Sequence, residues 1–322
     1  MKKNQLWSML LLLMLSIANC KGQKENLDLN NKENMKEYLT KNISPYLKTY
    51  SETPNYQLQV NKQGCRVVIE GYAEDYRFVE NGGESMLLPY NYLIPFSGPQ
   101  QIKIKVYPKE GETYLTKYAH VNIKLGYGSD KKTKLADYQN IGSFTLPEGL
   151  ETHKLPYYEG IITFDAKVPF DYSKDLNTAK DLTKIKDIRS LVENKYKEIQ
   201  KLAIDNDFNG FLKENLFSTG KYNNTVYISL DEAIASFTKY GNERYSLTSP
   251  SYYDKKFLLL EDCEIQFYAN GKVAALWHKT RLTGGLSKNF KYKNSEGDII
   301  DSFDDTPIYL YMPEGSNELK IW

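Results

Sequence analysis

Three groupings in the 322-residue chain have residue types and spacings suited to chemistry. Asp205-Asn206-Asp207-Phe208-Asn209-Gly210 alternates side-chain oxygens and closes on a glycine, which is the first half of a calcium loop. The second half fails, because the twelfth position, where such a loop needs a bidentate Glu, is Leu216. The preferred reading is a corner between two helices, with Asp207 capping the second. Glu296, Asp298, Asp301, Asp304 and Asp305 form an acidic stretch that fits a divalent cation or, more simply, a solvated hairpin edge. His120, His153 and His278 are the only histidines and include no short-spaced ligand pair. His278, closing an expected hairpin strand, is the one placed to move a proton with Asp262 or Tyr245, against the plainer role of packing or surface. There is no Gly-x-Ser-x-Gly elbow, and Thr219-Gly220-Lys221 lacks the upstream glycine of a phosphate loop, residue 215 being Asn. These patterns call for no metal and no cofactor.

The three cysteines, Cys20, Cys65 and Cys263, are too sparse for a disulfide framework or a zinc knuckle. Cys65 and Cys263 each alternate with apolar neighbours, so separate buried thiols are preferred to a bridge between them. Cys20 follows a short basic start, an apolar run from Trp7 to Leu15 and small residues, the plan of an export signal too short to span a bilayer.

Ser16-Ile17-Ala18-Asn19-Cys20 resembles the lipobox of bacterial lipoproteins, with Asn19 departing from the usual small residue. The resemblance implies cleavage before Cys20 and acylation, such as palmitate, on that cysteine. Several acyl chains, at about 0.8 kcal/mol per buried methylene, would hold the chain on a membrane. By the same resemblance, Lys21 rather than Asp after the cysteine implies the outer membrane, on either its periplasmic or its surface face.

Composition narrows the partners. The chain is 41% hydrophobic and 26% charged, which excludes a disordered, collagenous or polytopic membrane protein. Net charge is +1, falling to −1 once Lys2 and Lys3 leave with the signal. Arginine occurs only at positions 66, 77, 189, 244 and 281, unclustered, so nucleic acid is not an expected partner. The 27 tyrosines fit aromatic contact surfaces or AT-rich codon usage.

Residues 20 to 50, rich in Asn, Lys and Glu, read as a tether with at most a short helix. From Tyr56 to Tyr172 the apolar period is two: Tyr56, Leu58, Val60; Cys65, Val67, Ile69; Ile102, Ile104, Val106; Val121, Ile123, Leu125; Ile162, Phe164, Ala166, Val168. Gly and Pro turns separate these half-buried strands, and an antiparallel sandwich follows. Tyr92 to Val106, a Ser-Gly-Pro turn feeding an alternating strand, is similar to a segment of the immunoglobulin-like and jelly-roll accessory domains of secreted glycan-binding proteins.

After Asp171 the period changes. Leu182, Ile185, Ile188, Leu191, Val192, Tyr196, Ile199, Leu202 and Ala203 form one apolar stripe of a long helix. A short helix with Phe208, Phe211, Leu212 and Leu216 follows, then a brief strand at 225–228 and a third helix opened by the capping box Ser229-Leu230-Asp231-Glu232. Asn270-Gly271 marks a hairpin, with further strands at 289–293, 298–302, 308–312 and 318–322. This element order resembles the cone-shaped fold of ketosteroid isomerase and its non-catalytic relatives, which implies a curved sheet around a long helix and an open end for a ligand.

The chain therefore reads as multi-domain: a signal over 1–19, a tether over 20–50, an all-β sandwich (immunoglobulin-like or jelly-roll) over 51–172, and an α+β domain over 173–322 with helices on a curved antiparallel sheet. The expected role is a lipid-anchored envelope binding module for a glycan, peptide or protein. Exposed members of the set Tyr90, Tyr92, Phe96, Tyr157, Tyr158, Tyr252 and Tyr253 are the candidate contacts, since they lie in turn-rich segments. The alternatives are an enzyme acting on a small hydrophobic or acyl substrate in the cone, and an envelope inhibitor or toxin-neutralising protein.

Overall fold

The computed structural model describes residues 28, 29 and 31–322, so the expected signal, Cys20 and the first part of the tether lie outside the described residues. The fold is mixed α/β, built from several antiparallel sheets. Its first element corrects the tether. Helix α1 (Lys32–Asn42) is capped by the Asn31 side chain, which accepts from the backbone of Glu33 and Asn34. Leu29, Met35, Leu39 and Ile43 are buried against helices much later in the chain. The composition that suggested a tether belongs to the helix's solvated faces, while a narrow apolar stripe docks it.

Eight strands follow: β1 (Asn55–Gln63), β2 (Arg66–Glu70), β3 (Asp75–Phe78), β4 (Glu84–Pro89), β5 (Gly98–Tyr107), β6 (His120–Gly128), β7 (Gln139–Thr145) and β8 (Tyr158–Ala166). They form two four-stranded sheets, β4-β1-β6-β7 and β3-β2-β5-β8, around one core. The period-two residues fill it: Leu58 and Val60 from β1, Ile123 from β6, Val67 and Ile69 from β2, Ile102 and Ile104 from β5. Each such side chain contributes roughly 1.5–3 kcal/mol by leaving water. Gly142 and Gly160 let β7 and β8 close one corner, since a Cβ at Gly160 would lie 2.1 Å from the Phe144 ring. The strand order is not that of immunoglobulin sheets, in which the first two strands share a sheet; here β1 lies between β4 and β6, and β2 is in the opposite sheet.

The remaining chain carries helices α2 (Ser173–Thr178), α3 (Ile188–Ile204), α4 (Phe208–Glu214), α5 (Leu216–Thr225) and α6 (Leu230–Tyr240), then strands β9 (Tyr253–Phe257), β10 (Cys263–Tyr268), β11 (Val273–His278), β12 (Lys288–Lys293), β13 (Ile299–Asp304), β14 (Tyr309–Tyr311) and β15 (Lys320–Ile321). The long helix starts at Ile188 rather than Leu182, because Asp187 holds a left-handed backbone (φ 58°) that no helix can pass. The brief strand expected at 225–228 is instead the end of α5 and a turn. The capping box of α6 is formed, Ser229 and Glu232 each bonding the other's backbone.

Strands β10-β11-β14-β15 make one sheet and β13-β12-β9 another. One face of the first sheet (Ala274, Leu276, Leu310, Ile321) packs on Val192, Tyr196 and Ile199 of α3. There the Tyr196 hydroxyl donates to the Ile308 carbonyl and accepts from the Leu276 amide at 2.9 Å. The other face (Val273, Ala275, Trp277, Tyr309, Tyr311) meets Ala73, Tyr72 and Phe96 of the sheet pair. Among the described residues no helix is long and apolar enough to cross a membrane.

Candidate functional site

Where these two parts meet, a cleft of about 830 Å³ opens. Its floor is the outward side of the β2-β5-β8 face. Val67, Ile69, Ile102, Ile104 and Ile162 point into the core, so alternation turns Glu70, Gln101, Lys103, Thr163 and Asp165 to the cleft. The register places Glu70 beside Lys103 and Gln101 beside Thr163. Glu70 accepts from Lys105 Nζ at 2.7 Å and lies 3.5 Å from Lys103 Nζ. Burial would lower the Lys105 pKa, but Glu70 outweighs it and raises the value, so that ammonium stays charged.

The wall is the β10–β11 hairpin, contributing Phe267 through Gly271, together with Tyr72. Asn270-Gly271 does mark a hairpin, but the loop runs from Ala269 to Lys272, because Tyr268 pairs with Val273. Ala269 (φ 48°), Asn270 (φ 54°) and Gly271 (φ 85°) are all left-handed, a run that costs a non-glycine residue of order 1 kcal/mol or more. The contacts that hold it are specific. Ala269 N–H donates to the Tyr72 carbonyl at 2.9 Å, and a Cβ on Gly271 would meet Asp181 Oδ1 at 2.7 Å. Phe267 is 37% exposed at the rim, and Tyr72 is braced edge-on by Phe96 with ring centroids 5.3 Å apart.

A buried polar network fixes wall to floor. Asp75 and Arg77 on β3 pair at 2.9 Å, with side chains 0% and 3% exposed. The Tyr268 hydroxyl donates to Asp75 Oδ2 at 2.6 Å and accepts from Trp277 Nε1 at 2.8 Å. Tyr309 Oη lies 2.8 Å from Asp75 Oδ1 and accepts from the Asp75 amide at 3.0 Å. Arg77 donates to Gln266 Oε1 at 2.7 Å and its guanidinium lies 3.3 Å from the Trp277 ring centre. Burial opposes that charge, yet Asp75 more than compensates and raises the Arg77 pKa. Burial pushes the Tyr268 hydroxyl well up, with Asp75 adding to it. Nearby, the buried Lys221 of α5 pairs with the largely buried Glu74; burial raises Glu74 and lowers Lys221, and each partner opposes the other's shift.

The tyrosine candidates are scattered. Tyr90 is buried in the core of the sheet pair, against Phe164. Tyr92 is half-buried beside Tyr222, its pKa driven well up by burial. Tyr158 packs on Phe144, and Tyr252 lies 4.4 Å from the Phe290 ring centre. Tyr157 (50% exposed), in the loop before β8, and Tyr253 (38%), at the start of β9, reach the surface in different parts of the fold. Only Phe96 bears on the cleft, from behind Tyr72. The residues that line it were legible only as the polar half of strand alternation.

The other groups have structural partners. His278 Nδ1 accepts from the Arg281 amide at 3.2 Å; burial lowers its pKa against the pull of Asp262. Tyr245 is bonded to Thr219 Oγ1 at 2.8 Å instead. At the calcium-like corner, Asp207 caps Gly210 N at 2.8 Å as expected. A cation does sit there: the Lys255 ammonium donates to Asn206 Oδ1 at 2.6 Å and to the Ala203 and Leu247 carbonyls at 3.0 Å. Of the acidic stretch, Asp304 pairs with the buried Lys288 and Asp305 accepts from Gly284 N at 2.6 Å. Among the described residues no group of three or more His, Cys, Asp or Glu could hold a metal. Cys65 and Cys263 are separate, buried thiols in different cores, each pushed up to about 11 by burial.

Comparison of the chain with protein-family models, with curated proteins and with solved structures gave no match.

Proposed function

We propose that this chain is a lipid-anchored protein of the bacterial cell envelope, on the outer membrane, that binds a polar ligand in the cleft between its two parts. The observation that carries the binding role is the cleft itself. A volume of about 830 Å³ falls within the roughly 300–1,000 Å³ of small-molecule sites, and convergent polar groups beside aromatic rings are what such sites use for orientation. In this reading the sheet pair is a β-sandwich module with the eight-strand count of a jelly roll. The helices and later strands are an α+β module whose sheet has α3 on one face and the sandwich on the other. The anchor rests on the lipobox-like sequence ending at Cys20. The nine steps from Cys20 to the buried Leu29 span at most about 30 Å, so an acylated Cys20 would keep α1 close to the bilayer.

The test joins both halves. Cells expressing the wild-type chain or Cys20→Ala are labelled with palmitate and fractionated. The anchored protein is then compared with a Phe267→Ala, Asp165→Ala variant for ligand retained from solubilised envelope. Label on the wild type alone and retention lost in the cleft variant support the reading. Label independent of Cys20, or equal retention, contradicts it.

A further inference from the structure

We infer that the ligand of this cleft is a neutral glycan, which the protein holds without hydrolysing; the inference rests on the binding role proposed above. Charge is the first argument. Glu70 is matched by Lys103 and Lys105, and Asp165 is a further carboxylate on the floor. A phosphate or sulfate group would find no arginine fork among these residues and would face a carboxylate. A neutral polyol suits them, because Gln101, Thr163 and Asp165 offer donors and acceptors on one flat face. These positions recur at about 4.8 Å across strands and 6.6 Å along them.

Shape and aromatic content point the same way. Phe267 at the rim and Tyr72 beside it present ring surface that a purely ionic ligand would leave unused. A sugar carries C–H faces as well as hydroxyls, and an aromatic face, negative at its centre, attracts C–H groups. A peptide adding as a strand would take its bonds from the backbone of an edge strand such as β8 or β10, whereas Gln101, Thr163 and Asp165 present side-chain donors and acceptors from the face of the sheet.

Register rules on catalysis. Glu70 aligns with Lys103 and Lys103 with Ile161, while Asp165 lies four residues further along β8. Two strand spacings and four rises put the two carboxylate-bearing Cα atoms about 16 Å apart. Side chains on one sheet face stand roughly perpendicular to it, so the carboxyl groups keep a spacing close to that of their Cα atoms, beyond the roughly 5–9.5 Å of a hydrolytic pair, and Glu70 is turned toward its lysines. The cleft is therefore built to hold the chain of sugars rather than cut it.

The experiment uses the full lipoprotein in detergent on an array of neutral, sulfated and phosphorylated oligosaccharides, with titration of the best binder. Phe267→Ala and Gln101→Ala remove cleft groups without opening a core, and Phe303→Ala, an exposed ring on β13, is the control. Expected is binding of a neutral oligosaccharide, weakened roughly tenfold by either cleft substitution. Phe303→Ala leaves it unchanged, affinity holds between about 50 and 200 mM salt, and the oligosaccharide is recovered intact. Preference for anionic glycans, a steep salt dependence, cleavage of the ligand, or binding indifferent to both cleft substitutions overturns the inference. An empty array beside cleft-dependent retention of some other envelope component overturns the glycan assignment and leaves the binding role standing. An empty array with no cleft-dependent retention removes both.

Discussion

Asp75→Ala removes the group on which the junction network converges. The substitution leaves the Arg77 guanidinium, 3% exposed, without its carboxylate. It also takes one acceptor each from the Tyr268 and Tyr309 hydroxyls. Breaking a buried ion pair from one side costs about 3–5 kcal/mol, and a hydroxyl that loses its acceptor adds about 1 kcal/mol. Some of this is recovered. Arg77 keeps Gln266 Oε1 at 2.7 Å, and Tyr309 keeps the Asp75 backbone carbonyl at 2.7 Å. A loss of about 3–4 kcal/mol is therefore expected from urea unfolding followed by circular dichroism. The companion variant Asp75→Leu with Arg77→Met removes both charges and is expected to cost less than either single change, because no lone charge is left in the interior. A cost under about 1 kcal/mol for Asp75→Ala, or a double variant as unstable as the sum of the singles, would show that the pair does not hold the junction.

Three further outcomes follow from buried titratable groups. Lys221→Met strands Glu74, whose pKa burial already raises. A folded pKa above the unfolded one means stability falls as pH rises, so the variant is expected to lose midpoint urea concentration as pH climbs above the ordinary Glu value of about 4.3, and a pH-independent loss would refute this. Lys255 is lowered to about 8, by burial and then by the charge of Lys288, with Glu243 opposing. The destabilisation is full below pH 8 and relieved toward the unfolded value near 10.4, so relative to Lys255→Gln the wild type should gain stability across that window, and parallel profiles would contradict it. Cys65 and Cys263, both pushed up to about 11, should resist a thiol reagent at pH 8 in the native state and react together on unfolding; rapid native labelling of either would show that the cores open there.

The sequence carried the strands well, because in β1, β5 and β6 one face is core and the other is polar. It carried the α6 cap and the Asn270-Gly271 turn for equally local reasons. It did not show that α1 docks, since the stripe of Met35 and Leu39 is short and its partners lie about 170 residues away. The cleft was hidden for a related reason. Glu70, Gln101 and Lys103 look like any solvated face, and only a distant hairpin leaning over them makes a site. One signal was present: Val68, apolar on the outward side of β2 yet 3% exposed, marks where that face is covered. The Asp75–Arg77 pair was equally silent, because the hydroxyls that justify its burial come from Tyr268 and Tyr309, more than 190 residues on.

The most direct test of the binding role is hydrogen exchange of the full lipoprotein, read by mass spectrometry with and without fractionated envelope glycans. Slowed exchange confined to the turn at 71–74, to β5 around Gln101 and Lys103, and to the loop at 269–272 is the predicted result. Protection elsewhere, such as on the exposed face of β13, or no protection at any segment, would contradict it.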